Sequence, residues 1–337
     1  MNSEKKSQLK EKYSIFLVLL LMIILCTCFN RNFMSPDNIS NIMKQLAVST
    51  ILAYGEMLLI ISGMLDLSSG AVLALSGVFS VYVYKGTDSL LLAFLVAIFI
   101  AVICNIVNAI MVTNFKTPPF IATLAMQMAA RGIALLFTNG QNIPQLGRYT
   151  VFGQGSIGPV PISILFIMVI TIGIWYILRH TRLGRSLYAI GGNEEAAIAS
   201  GISVNRNKYI VFIINGVLVG IAGVLFMSRV NAGLPNGAVG YEMEGLTAAI
   251  VGGTSFSGGV GTTMGTFAGA LIIGCLNNIM NLTGVNSYVQ QIVKGTIIAL
   301  AVIWDIYSKN KKTTKVILVE NEKEKEWNEE KSSGSIA

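Results

Sequence analysis

The feature that most constrains this sequence is a series of long apolar segments separated by short polar connections. A helix needs about 20 apolar residues to cross the hydrocarbon core of a bilayer, because each residue advances it by about 1.5 Å. With soft edges, the apolar segments are 13–29, 45–65, 71–84, 89–113, 119–138, 162–178, 208–228, 246–256, 263–283 and 288–306. This pattern predicts an all-α integral membrane protein with about ten transmembrane segments.

Composition excludes the main soluble classes. Of the 337 residues, 53% are hydrophobic and only 12% are charged, and the mean hydropathy is +0.66. A soluble domain carries about 25% charged residues, so this chain lacks the charge to cover a water-exposed surface. We therefore exclude a soluble enzyme, a nucleic-acid-binding protein and a disordered protein. The net charge of +7 reflects lysines placed beside a membrane.

Two of the ten segments, 71–84 and 246–256, are short for a membrane span. We expect them to be broken or half-inserted helices, which are tolerated only where the backbone is buried in protein or lines a cavity. Glycine pairs at 252–253 and 258–259 weaken a helix, so they favour irregular backbone after the second short segment.

The placement of lysine and arginine predicts the orientation. With ten alternating segments and a cytoplasmic N-terminus, 17 of the 24 basic residues fall inside and 5 outside, as the positive-inside rule requires. We therefore expect a multi-pass protein of the cell (plasma or inner) membrane with both termini cytoplasmic. Its expected parts are a basic N-terminus 1–12, a transmembrane domain 13–306 with a cytoplasmic loop 179–208, and a charged cytoplasmic tail 307–337.

A short internal echo suggests an inverted repeat. Asn105-Ile-Val-Asn108 in the fourth segment resembles Asn278-Ile-Met-Asn281 in the ninth. These two segments run in opposite directions in the expected topology. Inverted repeats are a common transporter architecture, with the transport path at their interface.

Polar side chains within the apolar segments are the candidate functional residues, because each is costly in lipid unless it contacts protein or water. In the fifth segment Thr123, Gln127 and Arg131 step by four residues and share a helix face. The residues expected to line a translocation path are Asn105, Asn108, Gln127, Arg131, Asn277, Asn278 and Asn281. Such a path suits a neutral polyhydroxylated solute, although hydrogen bonds that hold the helices together explain any single residue equally well.

Acidic residues are few in the segments. Glu56 is the only acid well inside one, whereas Asp66 is expected at an inner boundary and Glu242 and Glu244 at an outer one. One acid forms neither an ion cage nor a proton relay, and no G-x-x-x-x-G-K-[ST] phosphate-binding loop is present. We therefore expect no catalytic residue, cofactor or metal site in this chain, and an energy source on another subunit. The alternative is an ion-driven secondary transporter or a channel for a small polar metabolite; a receptor or structural membrane subunit is the third class considered.

The cytoplasmic loop contains a predicted short helix. Asn193 is a favourable N-cap, and Glu194 and Glu195 occupy the first turn, where the helix dipole favours negative charge. Alanines continue the helix to about residue 200, and Gly201 can end it. Two turns of helix are not stable alone, so we expect this helix to pack on a partner, and a soluble cytoplasmic subunit is a natural one.

Five motifs carry a resemblance to a known family. They are Gly63-Met-Leu-Asp-Leu-Ser-Ser-Gly70, Thr117-Pro-Pro-Phe-Ile-Ala-Thr-Leu124, the stretch 184–201 with its Ala-Ile-Gly-Gly-Asn-Glu core, Gly240-Tyr-Glu-Met-Glu, and Val251-Gly-Gly-Thr-Ser-Phe-Ser-Gly-Gly-Val-Gly261. In this order they resemble the permeases of monosaccharide ABC importers, the family of the ribose, galactose/methyl-galactoside and xylose permeases. The resemblance covers about residues 30–306. Two features depart from it: Glu244, where the family often has Asp, and a longer charged tail after Lys315.

The resemblance implies a permease subunit that translocates a neutral monosaccharide. The implied partners are a second permease subunit (in the simplest case a copy of this chain), a cytoplasmic ATP-binding subunit that carries ATP-Mg, an extracytoplasmic sugar-binding protein and the membrane lipid, with no nucleic acid. The ATPase would dock on the 184–201 loop, where the coupling residues are Gly191, Gly192, Asn193, Glu194, Glu195, Ala196 and Ala197. The residues of a gate or structural motif are Asp66, Ser68, Gly70 and Phe120.

Overall fold

The computed structural model describes residues 3–307, with side chains from residue 15 onward, and this part of the chain is mostly helical. The side chains of the basic N-terminus 1–12 and the charged tail after residue 307 lie outside the described residues. The helices in this range are α1 (Ser3–Phe29), α2 (Pro36–Ile61), α3 (Ser69–Thr87), α4 (Leu90–Thr113), α5 (Pro119–Phe137), α6 (Val151–Gln154), α7 (Ile162–His180), α8 (Arg182–Gly192), α9 (Glu194–Ala199), α10 (Val204–Val230), α11 (Tyr241–Val251), α12 (Thr263–Leu282) and α13 (Ser287–Tyr307). The connections hold two 3-10 turns and four two-residue strands, β1 (Ile143–Pro144), β2 (Ser156–Ile157), β3 (Val160–Pro161) and β4 (Ala232–Gly233).

The all-α membrane prediction is confirmed. Within residues 3–307, seven helices are long and apolar enough to cross a membrane, namely α2, α4, α5, α7, α10, α12 and α13. The three remaining predicted segments correspond to the apolar part of α1, to α3 and to α11.

The two short predicted segments differ in length. The segment 71–84 is part of α3, an unbroken helix of 19 residues and about 28 Å, so the expectation of a broken or half-inserted helix is wrong there. Its first residues, Ser69 and Gly70, extend the helix beyond the apolar run because they are buried against protein, whereas its last residues, 85–87, are exposed. By contrast, α11 has 11 residues, about 16 Å or half a bilayer core. As predicted, irregular backbone follows it, from residue 252 to 262.

The centre of the bundle consists of α2, α3 and α10. α10 packs against α2, α3 and α4, and both α11 and α12 pack against α2. Among the largest fully buried side chains are Tyr54, Leu73 and Phe212, one from each central helix. α4, α5, α7 and α13 lie outside this core and expose apolar faces, as helices in contact with lipid do.

Glycines permit the closest helix contacts. A Cβ atom at Gly216 would lie 2.7 Å from the Cα atom of Val102, and one at Gly220 would lie 2.6 Å from the Cα atom of Ile98. α10 therefore touches α4 with its backbone. Gly265 and Gly269 bring α12 equally close to the end of α11, so the four-residue spacing of these glycines serves helix packing.

The connections 139–161 and 229–245 lie at the same end of the bundle. β1 and β4 pair antiparallel, with Ile143 opposite Gly233. The Lys85 ammonium, near the end of α3, donates to the carbonyl oxygen of Pro144 at 2.8 Å. The ends of α3, α5 and α10 therefore meet there, which is the grouping that the predicted topology requires.

Candidate functional site

Polar side chains carried by α2, α3, α4, α10 and the α2–α3 connection meet inside the bundle. We call this group the central cluster; each member is at most 1% exposed, and they are Glu56, Asp66, Ser68, Ser69, Asn105, Asn108 and Asn215. Asp66 accepts hydrogen bonds from the Ser68 backbone at 2.7 Å, the Ser68 hydroxyl at 2.5 Å and Asn215 Nδ2 at 2.7 Å. Asn215 Nδ2 also donates to Asn105 Oδ1 at 2.9 Å, and Asn108 Nδ2 donates to Ser68 Oγ at 3.0 Å.

A reversal of the chain after α2 places Asp66 in this cluster. α2 ends at Ile61, and Gly63 has a φ of +75°, a backbone conformation that favours glycine. The chain then returns beside α2, so that the backbone N–H of Asp66 lies 3.4 Å from Glu56 Oε2. Ser69 Oγ donates to the other carboxylate oxygen at 3.2 Å. The expectation that Asp66 sits at an inner boundary is therefore wrong, because residues 64–68 fold back instead of continuing outward.

Glu242 adjoins the central cluster from α11. Its Oε1 atom accepts from Gln127 Nε2 at 3.3 Å and from the Gly240 backbone at 3.2 Å. Its Oε2 atom lies against Gly70, where a Cβ atom would approach it to 2.0 Å. Arg131, one turn from Gln127, donates to the carbonyl oxygens of Pro235 and Gly237 at 2.8 and 2.7 Å. Because Gln127 and Arg131 are only half-buried, this is the edge of the polar region nearest the protein surface.

A second polar group lies on the other side of α11. Residues 242 and 244 point to nearly opposite faces of a helix, and Glu244 faces α12 and α13. Its Oε1 atom accepts from Lys294 Nζ at 2.5 Å and from Asn277 Nδ2 at 3.1 Å. A cavity of about 20 Å³ beside the ion pair is large enough for one water molecule.

Four acids are therefore buried: Glu56, the one acid well inside an apolar segment, and also Asp66, Glu242 and Glu244. Glu242 and Glu244 are 6% and 7% exposed, because the connection before α11 leads the helix into the protein. Ion pairs within the described residues are Lys294–Glu244 and Lys208–Glu194. Glu56 and Asp66 are therefore held by N–H and hydroxyl donors.

Several buried oxygens of these groups accept no hydrogen bond from the described residues. Among the described residues, the buried side-chain atoms without a partner are Asn108 Oδ1, Ser163 Oγ, Glu242 Oε2, Glu244 Oε2 and Asn277 Oδ1. A buried polar group without a partner costs about 1–3 kcal/mol. A hydroxyl donor, from water or from a solute, would remove that cost, and three of these oxygens, Glu242 Oε2, Glu244 Oε2 and Asn277 Oδ1, lie on or beside α11.

The seven residues predicted to line a path lie in several places. Asn105 and Asn108 belong to the central cluster, Gln127 and Arg131 to its edge, and Asn277 to the Glu244 group. Asn278 exchanges two hydrogen bonds with Asn38 at 2.8 and 2.9 Å. Exposed Asn281 accepts from Gln290 at 2.9 Å. The last two therefore join helix ends away from the central cluster.

The four motif residues are also divided. Asp66 and Ser68 are central, and Gly70 contacts Glu242. Phe120 is 53% exposed at the first turn of α5 and does not join the polar groups.

Sequence reasoning did not identify Asn215, Glu242 and Glu244 as interior site residues. Asn215 is the one amide in an otherwise apolar stretch of α10 beside Gly216, and that isolation was a usable signal. A lysine within the tenth segment could also have been matched to an acid, because an unpaired charge in lipid is strongly unfavourable.

The loop 179–208 contains two helices. The predicted helix is confirmed as α9 (Glu194–Ala199), in which Asn193 Oδ1 accepts from the Ala196 backbone at 2.9 Å. Gly201, with a φ of +79°, follows it. A second helix, α8, fills residues 182–192 before α9, and the Thr181 hydroxyl caps α8 by accepting from the Gly184 backbone N–H at 3.2 Å.

The apolar face of α9 is partly covered by this chain itself. Ala197 is buried with Ile190 and Val204, whereas Ile198 is 58% exposed. Glu194 pairs with Lys208 at 2.8 Å. The exposed residues predicted for coupling are Gly192, Asn193, Glu194, Glu195 and Ala196, while Gly191 packs inward against Ile61.

Comparison with known proteins identifies the family. Residues 38–302 match the family described as "Branched-chain amino acid transport system / permease component". The ribose import permease protein of Bacillus subtilis is 38% identical over 299 residues, which cover 88% of this chain and 92% of the relative. The ribose import permease protein of Escherichia coli K12 is 38% identical over 305 residues, covering 89% and 95%. The L-arabinose transport system permease protein of the same strain is 33% identical over 311 residues, covering 90% and 93%.

These matches span nearly all of the membrane helices, and they agree with the family resemblance of the sequence motifs. The relatives are membrane components of import systems and not enzymes. The chain therefore belongs to this permease family, as a multi-pass membrane subunit of an ABC importer.

Proposed function

We propose that this permease subunit translocates a neutral monosaccharide, which an extracytoplasmic binding protein delivers. The observation that carries the proposal is the set of buried amide, hydroxyl and carboxylate groups in the central cluster and beside α11, with four unpartnered oxygens. Sugar hydroxyls can donate to such oxygens, whereas the side chain of a branched-chain amino acid cannot. The relatives named above are ribose and L-arabinose permease proteins, and this chemistry favours a sugar over the amino acids named in the family description.

The path that we propose runs along the α5 face that carries Gln127 and Arg131. These side chains are half-buried and adjoin Glu242, so a small opening would expose them to a solute. Asn105 and Asn108 lie deeper in the bundle than these two side chains. Asn277 borders the path from the other side of α11. Binding along the path must be weak, because a tight site at the midplane would trap the sugar.

We further propose that a cytoplasmic ATPase with bound ATP-Mg docks on α8 and α9. Glu195 and Ile198 are exposed on α9 and offer a charge and an apolar contact. Glu195→Lys should lower sugar transport and sugar-stimulated ATP hydrolysis while membrane insertion stays normal. Unchanged ATPase stimulation in this variant would place the docking surface elsewhere.

The proposed assembly contains two permease subunits, in the simplest case two copies of this chain. Each has ten membrane segments with both termini in the cytoplasm. The seven long helices together with α1, α3 and α11 make up this number, and the basic side chains at 179–208 support the orientation. The short echo between α4 and α12 is the basis for an inverted repeat, which stays a prediction.

Reconstitution tests the function. The chain is placed in liposomes with and without its ATPase and binding protein, and uptake of radiolabelled ribose, arabinose and leucine is measured. We expect uptake of a sugar only when the ATPase, the binding protein and ATP are all present. Uptake of leucine in place of a sugar would contradict the substrate class.

The second candidate is an ion-driven transporter. The four buried acids support it more strongly than the single acid that the sequence places well inside an apolar segment. The same liposomes distinguish the two. Sugar uptake by this chain alone under a proton or sodium gradient would establish the second function and overturn the first.

A further inference from the structure

Three backbone segments meet beside α9 with no side chain between them. We call this contact the glycine junction, and it consists of Ile61, Gly191, Gly192, Gly258 and Gly259. The Gly259 backbone N–H donates to the carbonyl oxygen of Ile61 at 2.9 Å. A Cβ atom would lie 1.7 Å from that oxygen at Gly191, and one at Gly258 would lie 2.7 Å from the oxygen of Gly191. Backbone therefore touches backbone where the end of α2, the end of α8 and the connection 252–262 meet. Because no side chain lies between these segments, a change of side-chain rotamer cannot absorb a movement of one against another.

Tyr188 fastens α8 to the same connection. Its hydroxyl donates to the carbonyl oxygen of Gly261 at 2.8 Å. Burial raises the pKa of the Tyr188 hydroxyl above its ordinary value near 10. The group therefore keeps its proton, and its role as donor, throughout the physiological range.

Asp305 fastens the connection to the end of α13. Its Oδ2 atom accepts from the Ser255 hydroxyl at 3.1 Å and from the Phe256 backbone N–H at 3.0 Å. Ser255 is buried, and the remainder of α13 presents mainly exposed side chains. Together with the Lys294–Glu244 ion pair, this carboxylate is therefore a specific attachment of a helix whose side chains are otherwise mainly exposed within the described chain.

The junction connects the surface of α9 to the central cluster by a short route. Gly192 is followed by Asn193, the cap of α9, on one side. On the other side, Ile61 is one helical turn and a residue beyond Glu56, and it leads through Gly63 to Asp66. A displacement of α8 and α9 would reach both carboxylates through backbone contacts alone.

We propose that the connection 252–262 transmits movement of α8 and α9 to the central cluster, and that Asp305 is a positioning residue that keeps this connection against α13. The proposal rests on the proposed docking of an ATPase on α9. Without the carboxylate, the Ser255 hydroxyl and the Phe256 N–H lose their acceptor. The connection then loses its attachment to α13, so that it no longer holds the ends of α8 and α2 together when α9 moves, and less of the movement reaches the central cluster.

The test compares Asp305→Ala and Asp305→Asn in the complete importer in liposomes, at saturating sugar-loaded binding protein. The measured quantity is the number of sugar molecules transported per ATP hydrolysed. We expect Asp305→Ala to lower this ratio by about fivefold or more while ATPase activity and co-purification with the ATPase stay normal. Asp305→Asn should restore most of the ratio, because its amide oxygen can accept the same hydrogen bonds.

The control is Thr296→Ala, which removes an exposed hydroxyl of α13 that bonds only to its own helix, and it should leave the ratio unchanged. If Asp305→Ala lowers transport and ATP hydrolysis in equal proportion, or changes neither, the transmission role is wrong. Glu195→Lys is measured in parallel. If that variant has the expected effect while Asp305→Ala has none, the docking proposal stands and only this inference fails.

Discussion

Asn215 is the residue that ties the central cluster together. Its single amide nitrogen donates to Asp66 Oδ2 and to Asn105 Oδ1, at 2.7 and 2.9 Å. Its Oδ1 atom occupies the space beside Gly55, where a Cβ atom would lie 2.1 Å from it. One amide thus links α10 to α4 and to the chain that follows α2, and the absence of a side chain on α2 makes room for it.

Replacing this amide should destabilise the bundle. In Asn215→Ala two buried oxygens lose their donor, and we expect a loss of about 1–3 kcal/mol in the free energy of unfolding. The measurement is unfolding of the purified protein in detergent. Asn207→Ala is the matched control on the same helix, because the exposed Asn207 bonds only to the Ser203 carbonyl oxygen. Equal stability of the two variants would show that the cluster does not depend on this amide.

The neighbouring glycines of α8 provide a second prediction at the residue scale. A Cβ atom at Gly191 would overlap Ile61 and Gly259, whereas one at Gly192 would meet nothing within 4 Å. Gly191→Ala should therefore lower stability by about 1–3 kcal/mol through overpacking, and Gly192→Ala should be nearly neutral. Thermal unfolding of both variants checks this, and a neutral Gly191→Ala would contradict the close backbone contact.

At the scale of elements, α9 is too short to persist by its own hydrogen bonds. A helix of six residues is below the length at which isolated helices form. Its stability comes from the Asn193 cap, from Ala197 packed on Ile190 and Val204, and from the two acids in its first turn. The exposed Glu194–Lys208 pair adds little, because water screens it.

Removing the cap should loosen α9 selectively. Asn193→Ala leaves the Ala196 N–H without its acceptor, and such caps contribute about 0.5–2 kcal/mol. We expect amide hydrogen exchange to accelerate about tenfold over 194–199, which corresponds to about 1.4 kcal/mol. Asn193→Asp keeps an acceptor and should exchange as the native protein does. Unaltered exchange in Asn193→Ala would mean that packing alone holds the helix.

At the scale of the whole molecule, the helices form two layers with different surfaces. The inner helices α2, α3 and α10 are buried, whereas α4, α5, α7 and α13 face outward with apolar side chains and turn their polar residues, such as Asn105 and Asn108 of α4, inward. This arrangement follows from the cost of polar groups in lipid, which confines them to the interior. It also explains how α3 can begin with the polar, buried Ser69 and still lie within the bundle.

The orientation of the molecule is open to a direct test. In a variant with the exposed native Cys28 changed to serine, a cysteine introduced at Gln154 should react with an impermeant thiol reagent added outside intact cells. One introduced at Ser333 should react only after the cells are opened. The reason is that Gln154 is exposed at the end of the bundle where β1 and β4 pair. The reverse pattern would overturn the ten-segment topology with both termini inside.

By itself, the sequence determined the membrane class, the order of the long apolar helices, and α9 with its cap. These features follow from local properties: the length of an apolar run, the residue before a helix and the glycine after it. Gly216 and Gly220 could likewise be assigned to helix packing from their spacing alone, because that spacing places them on one face.

Only the tertiary structure decided which polar residues meet. Asp66 and Glu242 are buried because connections fold back into the bundle, and the position of an apolar run along the chain does not show such a reversal. The assembly of Asn215, Asn105 and Asp66, and the separation of Asn277 from Asn108 by α11, depend on helix rotation and contact between distant segments. Those contacts arise from backbone approach at glycines and from the requirement that each buried polar group find a partner, and both are properties of the packed chain.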